Sequence, residues 1–136
     1  MNRRRAREAL FLILFQYEFR RNIEEILGDF FAENTDIGEQ ENYIRKLCEW
    51  FVFDFETINQ TIEKYLKNWK FERISMVSLA VLRLSICEIL YFDDIPIAVS
   101  ITEALELVKK FEGEETVPFI NGVLEGVRLE AEAKND

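Results

Sequence analysis

Between Ser75 and Phe92 the chain is apolar almost all the way round a helical circumference, relieved only by Ser78, Arg83, Ser85 and Glu88. A helix without a polar face must be surrounded, either by protein or by lipid. Arg83 and Glu88 interrupt the segment, and no apolar run in the chain reaches the ~18 residues that a membrane span requires. The surrounding material must therefore come from the chain itself, which makes this stretch a central helix with others packed around it. Its polar residues need partners, and Arg83 and Glu88, five residues apart, are expected to be partners inside or beside that helix rather than ligands.

The rest of the sequence supplies the helices to pack around it. Ala6, Ala9, Leu10, Ile13, Leu14 and Tyr17 recur at steps of three and four, with Asn2 as a candidate cap. A second row, Phe11, Phe15 and Phe19, is more than one core contact needs, and is either further core or a surface for a partner. Ile23, Ile26, Leu27, Phe30 and Phe31 repeat the pattern, and the polar stretch from Glu33 to Gln40 reads as the longest loop. From Tyr43 through Trp69 the spacing gives one long helix or two joined by a kink. After Pro96, Ser100 and Glu103 stand in capping-box spacing and mark a helix start. Lys109, Lys110 and Gly113 suit its end, and Thr116 with Pro118 opens a last helix. No strand flanks Asn121-Gly122, so it stays helical, and Gly122 with Gly126 would let another helix approach closely. About seven helices and no strand make the chain all-α. Its 136 residues, 49% of them apolar with only five Gly and two Pro, fit a single domain over residues 1–136.

Chemistry is thinly represented. There is no histidine, no glycine-rich phosphate loop, and no base beside either cysteine, so the chain reads as not an enzyme even though Glu103 and Glu106 lie one turn apart. Cys48 and Cys87 lack metal-ligand spacing and read as buried thiols, with no metal and no cofactor expected. Free thiols, together with the lack of a leader-like start, suit a soluble cytoplasmic protein. Charge is the informative quantity. The whole chain carries −9, yet residues 1–21 hold six arginines against two glutamates, a net +4 that leaves −13 on the remainder. An acidic body repels phosphate while the basic end attracts it, so nucleic acid would meet this molecule along one edge. The alternative is a solvated basic terminus.

Three stretches together carry a family resemblance. Arg3-Arg4-Arg5-Ala6-Arg7-Glu8 opens the chain; Ala80-Val81-Leu82-Arg83 and Glu88-Ile89-Leu90-Tyr91 lie in the central helix; Glu103-Ala104-Leu105-Glu106-Leu107-Val108-Lys109-Lys110-Phe111 leads to Phe119-Ile120-Asn121-Gly122-Val123-Leu124. In these the sequence resembles the NusB family of transcription antitermination factors, over nearly its whole length. The resemblance implies a fold of two small helical bundles. It also implies an RNA-binding adaptor that holds a boxA-type single-stranded RNA together with NusE, a small-subunit ribosomal protein, within an RNA polymerase antitermination complex that serves ribosomal RNA synthesis.

Carried onto this sequence, the resemblance makes Arg3, Arg4, Arg5 and Arg7 the residues that meet RNA backbone, where guanidinium forks match phosphate oxygens. Phe119 matches an aromatic position near RNA bases, with core as its other reading. Asn121 reaches a base edge or satisfies nearby backbone. Phe11, Phe15, Phe19 and Ser78 are the candidate protein-partner residues. Two departures bear on these contacts: Ser78-Leu79 stands where relatives commonly carry an acidic and then a basic residue, and Pro118 stands where many carry a basic one. A purely protein-binding helical module without RNA contact remains the alternative, and the residues leave open monomer or homodimer.

Overall fold

The computed structural model describes residues 1–134 and contains seven α-helices and no strand among them. These are α1 (Arg3–Arg20), α2 (Ile23–Glu33), α3 (Gln40–Phe53), α4 (Phe55–Lys64), α5 (Met76–Tyr91), α6 (Ile97–Phe111) and α7 (Val117–Lys134), with 3-10 turns at Phe71–Arg73 and Glu114–Thr116.

Helix α5 is the central helix the sequence calls for. Ser75 caps it by accepting from the Ser78 amide, and every residue from Ser78 to Ile89 is buried. Helices α1, α3 and α4 pack on one side of it and α6 and α7 on the other, so two small bundles share one helix. One apolar cluster runs through both, from Leu10, Phe51 and Ile62 to Val108, Ile120 and Val127. Burying side chains of this size stabilises the fold by about 1.5–3 kcal/mol each against the entropy of ordering the chain.

The polar residues of α5 find partners, but not one another. Arg83 is buried and donates to Glu18 of α1, and through Nε to Asn59 of α4 at 3.0 Å, with its guanidinium over the Phe55 ring. Burial pulls its pKa below the ordinary arginine value despite Glu18. Glu88 turns the other way, toward α1, α3 and α6. Five residues on a helix subtend 500°, or 140° net, which is too wide an angle for a pair.

Several boundaries differ from the sequence reading for local reasons. The long segment is two helices broken at Asp54, whose carboxylate accepts from the Tyr91 hydroxyl of α5. The second of these ends at Lys64, so residues 65–75, rather than 33–40, form the longest connection. Helix α6 starts at Ile97, just after Pro96, and not at Ser100, because the Ser100 hydroxyl is drawn inward to Glu88. Gly126 does permit a close approach, but by the ring of Tyr65 rather than a helix, and Gly122 faces open space.

Candidate nucleic-acid interface

Arg3, Arg4 and Arg5 open α1 and turn by 100° from one to the next, while Arg7, four residues after Arg3, returns to within about 40° of it. Asn2 caps the helix, accepting from the Arg5 amide at 2.9 Å. Arg3 lies over the Tyr43 ring, 3.9 Å from its centroid, and donates to Gln40 at 2.7 Å. Arg4 reaches across to α6 and grips Glu103 with both Nε and Nη2, at 3.2 and 2.9 Å. That carboxylate raises the Arg4 pKa. Arg5 points into solvent and makes no side-chain ion pair or hydrogen bond among the described residues.

Arg7, only 6% exposed, goes inside. Its guanidinium meets the Glu88 carboxylate in bidentate fashion at 2.9 and 3.0 Å. Glu88 also accepts from the Tyr43 hydroxyl and, at 2.7 Å, from the Ser100 hydroxyl. One carboxylate thus ties α1, α3, α5 and α6 together, and no buried polar side-chain atom is left without a partner among the described residues. Burial works against the Arg7 charge, and the Glu88 carboxylate more than restores it, raising the pKa. The expectation that Arg7 meets RNA backbone runs against this placement, since a phosphate would have to enter the core and displace Glu88.

A second pair crosses the same groove as Arg4 and Glu103: Lys110 of α6 donates to both oxygens of Glu8, at 3.0 and 2.9 Å. Arg4 and Glu8 are one turn apart on α1, and Glu103 and Lys110 two turns apart on α6, so opposed charges alternate along the seam. Beyond it Phe11 packs on Phe111, with ring centroids 4.7 Å apart.

At the far end of α6 lies a cleft of about 270 Å³ between the 65–75 connection and the start of α7. Phe119, half-buried, stands there beside Trp69, with ring centroids 5.9 Å apart. Asn121 is exposed on the first turns of α7. From Glu103 to Glu112 the helix runs about 13 Å, at ~1.5 Å per residue, and that rise separates the basic edge from the aromatic cleft.

The proposed partner surface divides in the same manner. Phe11 is 2% exposed and belongs to the core, Phe15 is half-buried against it, and Phe19 is 66% exposed. Ser78 is buried, and its hydroxyl donates to Glu112 at 2.6 Å, so it faces the cleft from within rather than offering a surface. Sequence reasoning missed Glu103 as the partner of Arg4, having read it as a capping residue, and missed Trp69 altogether. Neither was recoverable from spacing: the first depends on how α1 and α6 dock, and the second lies in the connection before α5 rather than in a helix.

Comparison with known proteins places this architecture. Residues 4–128 match the model of the NusB family. The transcription antitermination protein NusB of Natranaerobius thermophilus is 41% identical over 131 residues, covering 93% of this chain and 94% of that protein. Its counterpart in Acetivibrio thermocellus is 42% identical over 125 residues, covering 91% and 86%. Among solved structures, T. maritima NusB superposes with a TM-score of 0.85 at 37% identity, covering 93% of this chain and 90% of that one. A chain of the crystal structure of the antitermination factors NusB and NusE in complex with double-stranded RNA superposes with a TM-score of 0.82 at 30% identity, covering 93% and 97%. On sequence and fold alike, this chain belongs to the NusB family.

Proposed function

We propose that the protein is a non-catalytic RNA-binding adaptor of transcription antitermination, holding a boxA-type single-stranded RNA together with the ribosomal protein NusE. The observation that carries this reading is the pairing of Arg4 and Arg5 on the outer edge of α1 in a chain whose remainder is strongly acidic. Arg5 is free for phosphate, and Arg4 exchanges Glu103 for it in a solvent-exposed groove. Arg3 adds half-buried charge from over Tyr43. Arg7 serves instead as a positioning residue, fixing the rotation of α1 through Glu88. Phe119 and Asn121 meet the strand at the other end of α6.

The relatives are named antitermination proteins, and a structural neighbour is found with NusE and RNA, which supports the same role here. The described residues include no helix long and apolar enough to cross a membrane, and the cytoplasm is the compartment this role requires. The continuous core supports one domain acting as a unit.

Leu12 and Phe19, both exposed on α1, favour a second reading in which the chain binds protein alone. Titration of labelled boxA-like RNA, with and without NusE, separates the two. Binding that tightens when NusE is added supports the adaptor. Retention of NusE with no RNA affinity in either arm overturns it in favour of the protein-binding module.

A further inference from the structure

Helices α2 and α3 follow one another in the chain yet touch only sparsely, because α2 turns Phe30 and Glu33 toward α1 while α3 turns Tyr43, Leu47 and Phe51 into the core. Between them runs an open groove of about 420 Å³. Its floor is apolar, formed by Ile23 and Leu27 of α2 and by Cys48 and Val52 of α3, and Phe53, 79% exposed, stands at one end. Its rim is acidic. Glu24 on one wall and Glu49 on the other are exposed and form no ion pair among the described residues. Arg45, the cation on the rim, is held by Glu41 at 3.0 Å and lies over the Phe31 ring. None of the residues assigned above to RNA or to NusE lines this groove.

The groove restricts its occupant in three ways. Both walls are helices that satisfy their own backbone hydrogen bonds, so no free edge exists on which an extended peptide could pair, and the occupant must satisfy its own backbone as a helix does. The apolar floor takes side chains recurring at i, i+3 or i+4, and i+7. The carboxylates on both walls repel RNA and anionic lipid, and a second copy of this chain across a two-fold axis would bring the same carboxylates face to face. A helix whose apolar stripe is flanked by lysine or arginine is complementary to all three. We propose that the α2–α3 groove docks a basic amphipathic helix of another protein, with Phe53 against its apolar stripe and Glu24 and Glu49 paired with cations on its two flanks. The adaptor thereby gains a protein-binding face separate from its arginine edge.

The test uses the full chain and a labelled peptide of about 18 residues, long enough to form a helix, with leucines at i, i+3 and i+7 and lysines on both flanks, read by fluorescence anisotropy. Saturable binding is expected. Phe53→Ser is expected to weaken it by at least about tenfold, and Glu24→Gln with Glu49→Gln by about fivefold, both variants altering exposed side chains and keeping the helical circular dichroism of the parent. A peptide of the same composition in scrambled order keeps the charge, loses the stripe, and is expected to bind at least about tenfold more weakly. Phe53→Ser is expected to leave boxA-like RNA and NusE binding unchanged. Absence of peptide binding, equal binding of the scrambled peptide, or parent-like affinity in either variant overturns the groove and leaves the RNA-binding reading standing. A dimer in sedimentation that Phe53→Ser dissociates overturns it in favour of a self-interface, and loss of NusE by the same variant overturns it by joining this face to the NusE surface.

Discussion

Arg5 and Arg7 lie two residues apart on one helix and inhabit different media. Arg5 stands in water with no partner among the described residues, whereas Arg7 is enclosed by Glu88, Tyr43 and Ser100. An arginine cluster that looks uniform in sequence is thus split by helix phase into an outer edge suited to a mobile counter-charge and an inner residue that locks α1 against three other helices. What the difference teaches is that the number of arginines in a basic run overstates the number available to RNA. Rotation about the helix axis decides which of them count.

The sharpest way to break this division is to remove the inner charge. Arg7→Ala strands the Glu88 carboxylate in the core, and loss of one partner of a buried pair is expected to cost about 3–5 kcal/mol, measurable by urea unfolding. Replacing both partners, Arg7→Met with Glu88→Gln, is expected to recover more than half of that. A single variant within 1 kcal/mol of the parent would show that Arg7 belongs with the outer set.

Next in size is an effect of pH on the interior alone. Burial pushes the Cys48 thiol up to about 12, while an unfolded cysteine titrates near 8.5. Stability from the protonated folded thiol is fully present below pH ~8.5 and is lost as pH rises toward the folded value, because the unfolded chain releases its proton first. At pH 9.5 the expected loss is about 1.4 kcal/mol relative to Cys48→Ala, read from the difference in urea midpoints at pH 7.5 and 9.5. Parallel midpoints for the two proteins would place the thiol at the surface.

The outer edge should barely touch stability. Arg4→Ala and Arg5→Ala are each expected to change it by less than about 0.5 kcal/mol, since an exposed pair or an unpaired charge contributes little. Their effect belongs to RNA. Each should flatten the slope of log affinity against log salt by about 0.7, and the two together by about 1.4, whereas four available arginines would give up to about 2.8. A double variant with the parent slope would return this edge to a solvated terminus.

How much of this was legible in the sequence depends on what carried each signal. The central helix was readable because Ser75–Phe92 has no polar face, and the cap at Asn2 because short polar side chains before an apolar period have one common use. The all-α class followed from the same periodicity, and the two bundles from the family resemblance alone. The pairing of Arg83 with Glu18, and of Arg7 with Glu88, was not legible, because ion pairs 65 and 81 residues apart depend on how helices dock rather than on spacing within one of them. Ser100 shows the limit from the other side: its spacing to Glu103 is that of a capping box, yet a buried carboxylate from α5 claims its hydroxyl. Trp69 was read as the end of a helix that in fact stops at Lys64, so its exposure in the connection before α5 was not visible in the sequence.

The position of α5 in the chain has a consequence for biosynthesis. Helices α1, α3 and α4 bury part of their apolar faces against a helix that is translated after all of them. At ~5–20 residues per second, the stretch from Tyr65 to Tyr91 takes roughly 1–5 s to add, and the nascent amino-terminal half holds Phe11, Phe51 and Ile62 without their final cover throughout. This protein's exposure to chaperones on the ribosome should therefore peak just before α5 emerges from the exit tunnel, and fall once it does.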